Sequence, residues 1–132
     1  MKNKLTLIAL LGALGVILGA LGAHSLRPLL SDIQFNSYET GIRYLFIHTL
    51  AMWVLVILMM NHPNRLFTVA FQCFFIGTLL FSGSILCLTT LHLTGLGFMR
   101  VLAGPATPIG GLVLIIGWGS LGIGARKITF IN

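Results

Sequence analysis

A chain of 132 residues holds one domain's worth of polypeptide, and only 8% of it is charged while 57% is hydrophobic. A soluble fold of this size exposes too much surface to hide that much apolar side chain, so a mean hydropathy of +1.03 excludes a water-soluble globule and leaves lipid as the solvent. The formal charge of +6 does not point to nucleic acid, because the eight cations stand singly or in pairs between apolar runs and form no basic face or arm.

The first long apolar run is Leu5–Ala23, preceded by Lys2 and Lys4. A cleaved signal peptide has a similar charged start, and Ala20-Leu21-Gly22 resembles a cleavage motif. The run is longer than the usual apolar region of about 7–15 residues, which favours an uncleaved helix. Gly12, Gly15, Gly19 and Gly22 are spaced three, four and three apart and therefore share one helical face. His24 follows immediately, with Arg27 beyond it.

Asp32 is expected in the loop after this span. "NSYE", Asn36 to Glu39, has capping-box spacing and predicts a helix start ahead of the second run, Tyr44–Met60. That run is at the lower limit of about 17 residues for crossing a bilayer, so its helix is expected to begin earlier. Glu39 and Arg43 stand four apart and can pair, and Tyr44 and His48 share a face in the same way. "NHPNR", Asn61 to Arg65, reads as a tight turn broken by Pro63.

The third run, Leu66–Leu91, is long enough to tilt. Cys73, Gly77, Ser84 and Cys87 make a weaker line of small residues along it. Helical geometry separates the two cysteines by about 21 Å, too far for a disulfide, whose Cα atoms lie within about 7 Å. Both read as packing residues. His92 to Thr107 holds Gly95, Gly97, Gly104 and Pro105 and reads as a loop. Thr107 is a natural N-cap and Pro108 a natural first residue for the fourth run, Pro108–Ala125. Gly110, Gly117 and Gly124 are seven apart and lie on one stripe.

These elements predict an all-α membrane protein of one domain, with four transmembrane helices in a compact glycine-rich bundle. Five cations (Lys2, Lys4, Arg65, Arg126 and Lys127) fall on the side holding both termini, against Arg27, Arg43 and Arg100 on the other, which favours cytoplasmic termini. Glycine costs a helix about 1 kcal/mol relative to alanine. In lipid, where no hydrophobic force joins helices, it permits close backbone approach instead. Gly12, Gly15, Gly19, Gly22, Gly77, Gly110, Gly117 and Gly124 therefore read as helix-packing residues, against the rival that glycine is simply common in membrane helices.

His24, His48 and His92 fall toward the same outer side, while His62 stands alone in the inner turn. A histidine at a helix end satisfies free carbonyls, which suffices for His24 and His92. His48 lies within apolar depth and needs a partner such as Tyr44, the Ser82/Ser84 pair or a backbone carbonyl. The sharper reading is a shared outer polar site of His24, Tyr44, His48, Ser82, Ser84, His92 and Thr107 that relays protons or binds a small solute or metal. HxxxH spacing is absent, so no metal site and no cofactor are expected. No base and orienting partner stand near a nucleophile, so no catalytic residue is expected either.

Four stretches resemble, in order, a known family: "GALGAHSL", "TGIRYLFIHTLAM", "GTLLFSGSILCL" and "ATPIGGLVLIIGW". The chain is similar to the small bacterial membrane proteins of the domain-of-unknown-function 423 family. The resemblance carries over Gly22, Ala23 and His24, then Tyr44 and His48, then Phe81, Ser82, Gly83 and Ser84. Thr107, Pro108, Gly110, Gly111, Gly117 and Trp118 complete it. Leu45 stands where the family often has glutamine after the tyrosine. The resemblance implies a four-helix inner-membrane protein and supplies no activity, substrate or cofactor. The expected role is a non-enzymatic packing or assembly protein, partnered by the bilayer and by its own copies or other membrane proteins. The alternative is a small oligomeric transporter or solute-binding protein using the outer His/Tyr site.

Overall fold

The computed structural model describes residues 1–95 and 97–128, the side chain of His92 excepted. Four helices make the structure: α1 (Lys2–Leu21), α2 (Asp32–Asn61), α3 (Arg65–Thr94) and α4 (Arg100–Ala125). Each is long and apolar enough to cross a membrane. All backbone polar groups of such a span must be satisfied internally, which is why helices are the form this composition takes.

α1 does not stop cleanly. It runs into a π turn, Gly22–Leu26, and a 3₁₀ turn, Arg27–Leu29, carrying Pro28. The chain then turns extended at Leu30, and α2 starts five residues earlier than the "NSYE" motif proposes. Ser31 is its N-cap, accepting from the Gln34 amide at 3.3 Å, while the Gln34 side chain accepts from the Ser31 amide at 3.0 Å. Two capping boxes compete in this sequence. Asp32 decides between them, because as first residue of α2 it suits the helix dipole and its carboxylate accepts from Arg27 at 2.7 Å. Asp32 is thus helical rather than in a loop, and Asn36 lies inside the helix.

The turn between α2 and α3 is short, as expected from Pro63. Asn64 caps α3 through Leu66 N–H at 3.0 Å, and its amide reaches the Gly124 carbonyl of α4 at 3.4 Å. At the other end Gly95 closes α3 in the left-handed region at φ 69°, a conformation that favours glycine.

The expected loop from His92 to Thr107 is largely helix. After a 3₁₀ turn, Gly97–Met99, α4 begins at Arg100 and takes both Pro105 and Pro108 inside it. A proline removes one N–H and is tolerated in membrane helices where neighbouring groups compensate. Thr107 is therefore mid-helix rather than an N-cap. Its hydroxyl lies 3.4 Å from the Ala103 carbonyl and 2.6 Å from Ser84 Oγ, so it ties α4 to α3.

α3 lies between α2 and α4, and α1 packs on α2. The common core is aromatic along α3, with Phe67, Phe71 and Phe74 meeting Met52, Leu55 and Val56 of α2, Ile8 and Leu11 of α1, and Leu114 of α4. Lys4 sits 4.2 Å over the Phe71 ring, tying the start of α1 to the start of α3.

The glycines mark where backbones approach. A Cβ on Gly110 would meet Phe81 N at 2.5 Å and Phe81 Cα at 2.9 Å, both fixed backbone. Leu114 would meet one on Gly77 at 2.7 Å, Phe74 one on Gly117 at 2.7 Å, and Phe67 one on Gly124 at 2.7 Å. The α3–α4 seam thus uses every third-span and fourth-span glycine singled out by spacing. Along α1 the four glycines divide. Gly15 faces Leu45 and Phe46 at 2.8 and 2.9 Å and Gly22 faces Tyr38 at 2.5 Å, whereas Gly12 and Gly19 have their nearest neighbours at 3.9 and 3.8 Å, which is ordinary contact.

Candidate functional site

His48 is enclosed in the bundle, only 3% exposed. Helical spacing fixes its first partner. Nδ1 lies 2.8 Å from the carbonyl of Tyr44, one turn back, and donates to it. That sets the tautomer: Nε2 carries the lone pair, and Trp118 Nε1–H of α4 donates to it at 3.2 Å. Phe74 of α3 meets the imidazole edge-on at 5.3 Å, and its ring lies 5.0 Å from Trp118. Tyr44 stacks tilted on Phe81 at 4.6 Å. The result is a chain of rings that joins α2 to α4 across α3.

Three helices independently give the depth of this cluster. Phe74 stands about 13 Å along α3 from Arg65, Trp118 about 12 Å along α4 from Arg126, and Gly12, beside Thr49, about 12 Å along α1 from Lys4. In a hydrocarbon layer about 30 Å thick this is the middle. His48 lies within apolar depth, as expected, but at the middle of the layer rather than one turn in from its outer side. An isolated imidazole there would be costly, so two internal hydrogen bonds are what its burial requires.

A cleft of about 410 Å³ opens beside the ring cluster, lined by Tyr44, Ile47, His48, Phe81, Leu114 and Trp118 among others. Its mouth faces outward, with Tyr44 38% and Trp118 47% exposed.

The other candidates do not converge on it. His24 is exposed on the π turn at the end of the bundle. The His92 side chain lies outside the described residues. Ser84 and Thr107 bond to each other nearer the α4 start, and Ser84 also donates to the Phe81 carbonyl at 3.0 Å. Ser82 is 1% exposed, and its hydroxyl, like that of Thr78 one turn earlier, has no partner among the described residues. No group of three or more His, Cys, Asp or Glu among the described residues is placed to hold a metal ion. Glu39 and Arg43 make no ion pair with each other; both line a groove of about 210 Å³ between α1 and α2.

Trp118 is the residue that spacing arguments leave out. The signal was its position, since an indole in the middle of a fourth apolar run, rather than at an interface, needs an acceptor for its N–H.

Comparison with known proteins agrees with this architecture. Residues 18–111 match the model of the family described as "Protein of unknown function (DUF423)". The chain is 38% identical over 128 residues to a UPF0382 membrane protein of Haemophilus influenzae, covering 96% of this chain and 97% of that one. It is 33% identical over 130 residues to the UPF0382 inner membrane protein YgdD of Escherichia coli K12, with 97% and 94% covered. The UPF0382 membrane protein YwdK of Bacillus subtilis is 33% identical over 132 residues, with 96% and 98% covered. No solved structure matches the chain significantly. With a family model over most of its length and relatives matched nearly end to end, this four-helix chain belongs to the DUF423 family of integral membrane proteins.

Proposed function

We propose that the protein is a non-enzymatic packing component of the membrane, working as a rigid bundle that associates with its own copies or with other membrane proteins. The observation that supports this reading is the state of His48. Both ring nitrogens are spent inside the bundle, on the Tyr44 carbonyl and the Trp118 indole, so this deep imidazole serves as an interhelical tie rather than a ligand-taking group. The tight glycine seams are likewise consumed within the chain. Association then falls to the outward surfaces, where Gly119 and Gly122 of α4 have open space above them. On this reading both termini are cytoplasmic, following the five-to-three balance of cations.

The test is photo-crosslinking in native membranes from a probe at residue 112 or 119 on the outer face of α4. Discrete, reproducible adducts of fixed mass support the assembly reading. Monomer alone from both positions, together with stabilisation by an added solute, would overturn it. The second reading, a small solute-binding oligomer, draws on the unpartnered hydroxyls of Thr78 and Ser82. Solute-dependent protection that vanishes in Ser82→Ala would support it.

A further inference from the structure

The groove between α1 and α2 has a polarity that the assembly reading leaves unexplained. Its floor is small and apolar, with Gly19, Gly22 and Ala23 on one wall and Ile42 on the other. Glu39 and Arg43 share its rim, one turn apart on the same helical face. Charges of opposite sign four residues apart ordinarily pair, yet these two do not, whereas Arg27 and Asp32 nearby close to 2.7 Å.

Depth gives the arrangement meaning. Ile42 lies beside Gly19, which is about 22 Å along α1 from Lys4. Arg43 is therefore rooted about 8 Å below the nearer edge of a 30 Å hydrocarbon layer, and its long side chain reaches up toward that edge. Glu39 is one turn closer to the surface, about 6 Å higher. From the surface inward the rim offers an anion and then a cation, with Gly22 and Ala23 of α1 facing the level of Glu39 and Gly19 facing that of Arg43.

We propose that this groove holds a phospholipid with a primary ammonium headgroup. Such a lipid presents the complementary order from the surface inward: ammonium, then phosphate. Its ammonium donates to the Glu39 carboxylate, its phosphate accepts from the Arg43 guanidinium, and its glycerol end rests against Gly19, with the acyl chains continuing into the surrounding lipid. A lipid that is purely anionic satisfies Arg43 but meets Glu39 with repulsion. A choline headgroup has no N–H to donate. A second copy of the chain fits less well, because a rotation axis along the membrane normal sets Glu39 level with Glu39 and Arg43 level with Arg43, and a concave groove meets itself poorly.

The experiment uses the full chain in detergent, with thermal unfolding followed while phosphatidylethanolamine, phosphatidylglycerol or phosphatidylcholine of identical acyl chains is added. Lipid retained in native mass spectrometry gives a second readout. The expected result is selective stabilisation and retention of phosphatidylethanolamine. Glu39→Gln should lower its preference over phosphatidylglycerol by about threefold, the scale of one exposed charge interaction, and Arg43→Gln should weaken retention of both. The exchange Glu39→Arg with Arg43→Glu keeps net charge and reverses the order, so it should abolish the preference. Equal binding of the three lipids by the wild type would overturn the proposal, as would a preference that survives both single substitutions. A change of oligomeric mass in Glu39→Gln with lipid preference intact would overturn it too, marking the groove as an interface between copies.

Discussion

Replacing Gly110 with alanine adds one methyl group at the point where α4 crosses α3. That methyl would lie 2.5 Å from the Phe81 amide nitrogen and 2.9 Å from Phe81 Cα, where ordinary contact begins at 3.4 Å. The atoms in its way are backbone, so no rotamer change relieves them, and the two helices must part by close to an ångström. Overpacking of this kind costs about 1–3 kcal/mol, and α4 loses the close contact that holds it in lipid. Alanine offsets this with a helix propensity about 1 kcal/mol better than glycine. Taking the upper end of the clash because backbone is involved, the net loss is about 2 kcal/mol. Gly12→Ala is the internal control. Its methyl would stand 3.9 Å from Thr49 Cγ2, so only the propensity gain remains and stability should hold or rise. Thermal unfolding in one detergent, followed by far-ultraviolet circular dichroism, ranks the two. If Gly110→Ala melts with or above Gly12→Ala, helix contact at Gly110 is not what the glycine serves, and the seam argument fails.

Two further substitutions probe the buried polar groups. Trp118→Phe leaves His48 Nε2 without its donor, and a double-mutant cycle with His48→Phe should show favourable coupling of about 0.6–1.7 kcal/mol, the range for interhelical hydrogen bonds in a membrane; additive losses in detergent unfolding would mean that the bond contributes nothing. Ser82→Ala and Thr78→Val remove hydroxyls that bond to nothing described, so melting temperatures should stay level or increase. A clear drop in either variant would show that these hydroxyls have a partner.

Much of the bundle was legible because lipid leaves a simple record. Four uncharged runs mark four spans, and glycines seven apart on the fourth run land on Phe81, Phe74 and Phe67 in succession. Helix ends were harder. Ser31/Gln34 and Asn36/Glu39 both have capping-box spacing, and spacing alone does not choose between them; the structure uses the first, with the local Arg27–Asp32 pair beside it. Pro108 reads as a start signal in sequence, because the N–H it lacks costs least there. The apolar stretch before it nevertheless continues the helix back to Arg100. Those early starts matter for the site. Counting from Tyr44 puts His48 near a surface, whereas counting along whole helices puts it at the centre. Which histidines meet was not legible, since similar depth along different helices says nothing of facing direction: His48 turns inward to Trp118, and His24 points out.

Pro105 and Pro108 give the start of α4 a different mechanical character from its remainder. Two missing amides leave the Val101 and Gly104 carbonyls without their usual intrahelical donors. Gly104 has no neighbour within 4 Å of where a Cβ would stand, and Val101 and Leu102 are 77% and 70% exposed. From Gly110 onward the helix is clamped, with the Ser84–Thr107 bond at the boundary. A bilayer that swells or thins would load these leading turns first, because they hold fewer intrahelical bonds than the rest of α4. The stretch from Gly110 onward, held against α3 at Phe81, Phe74 and Phe67, would keep its register.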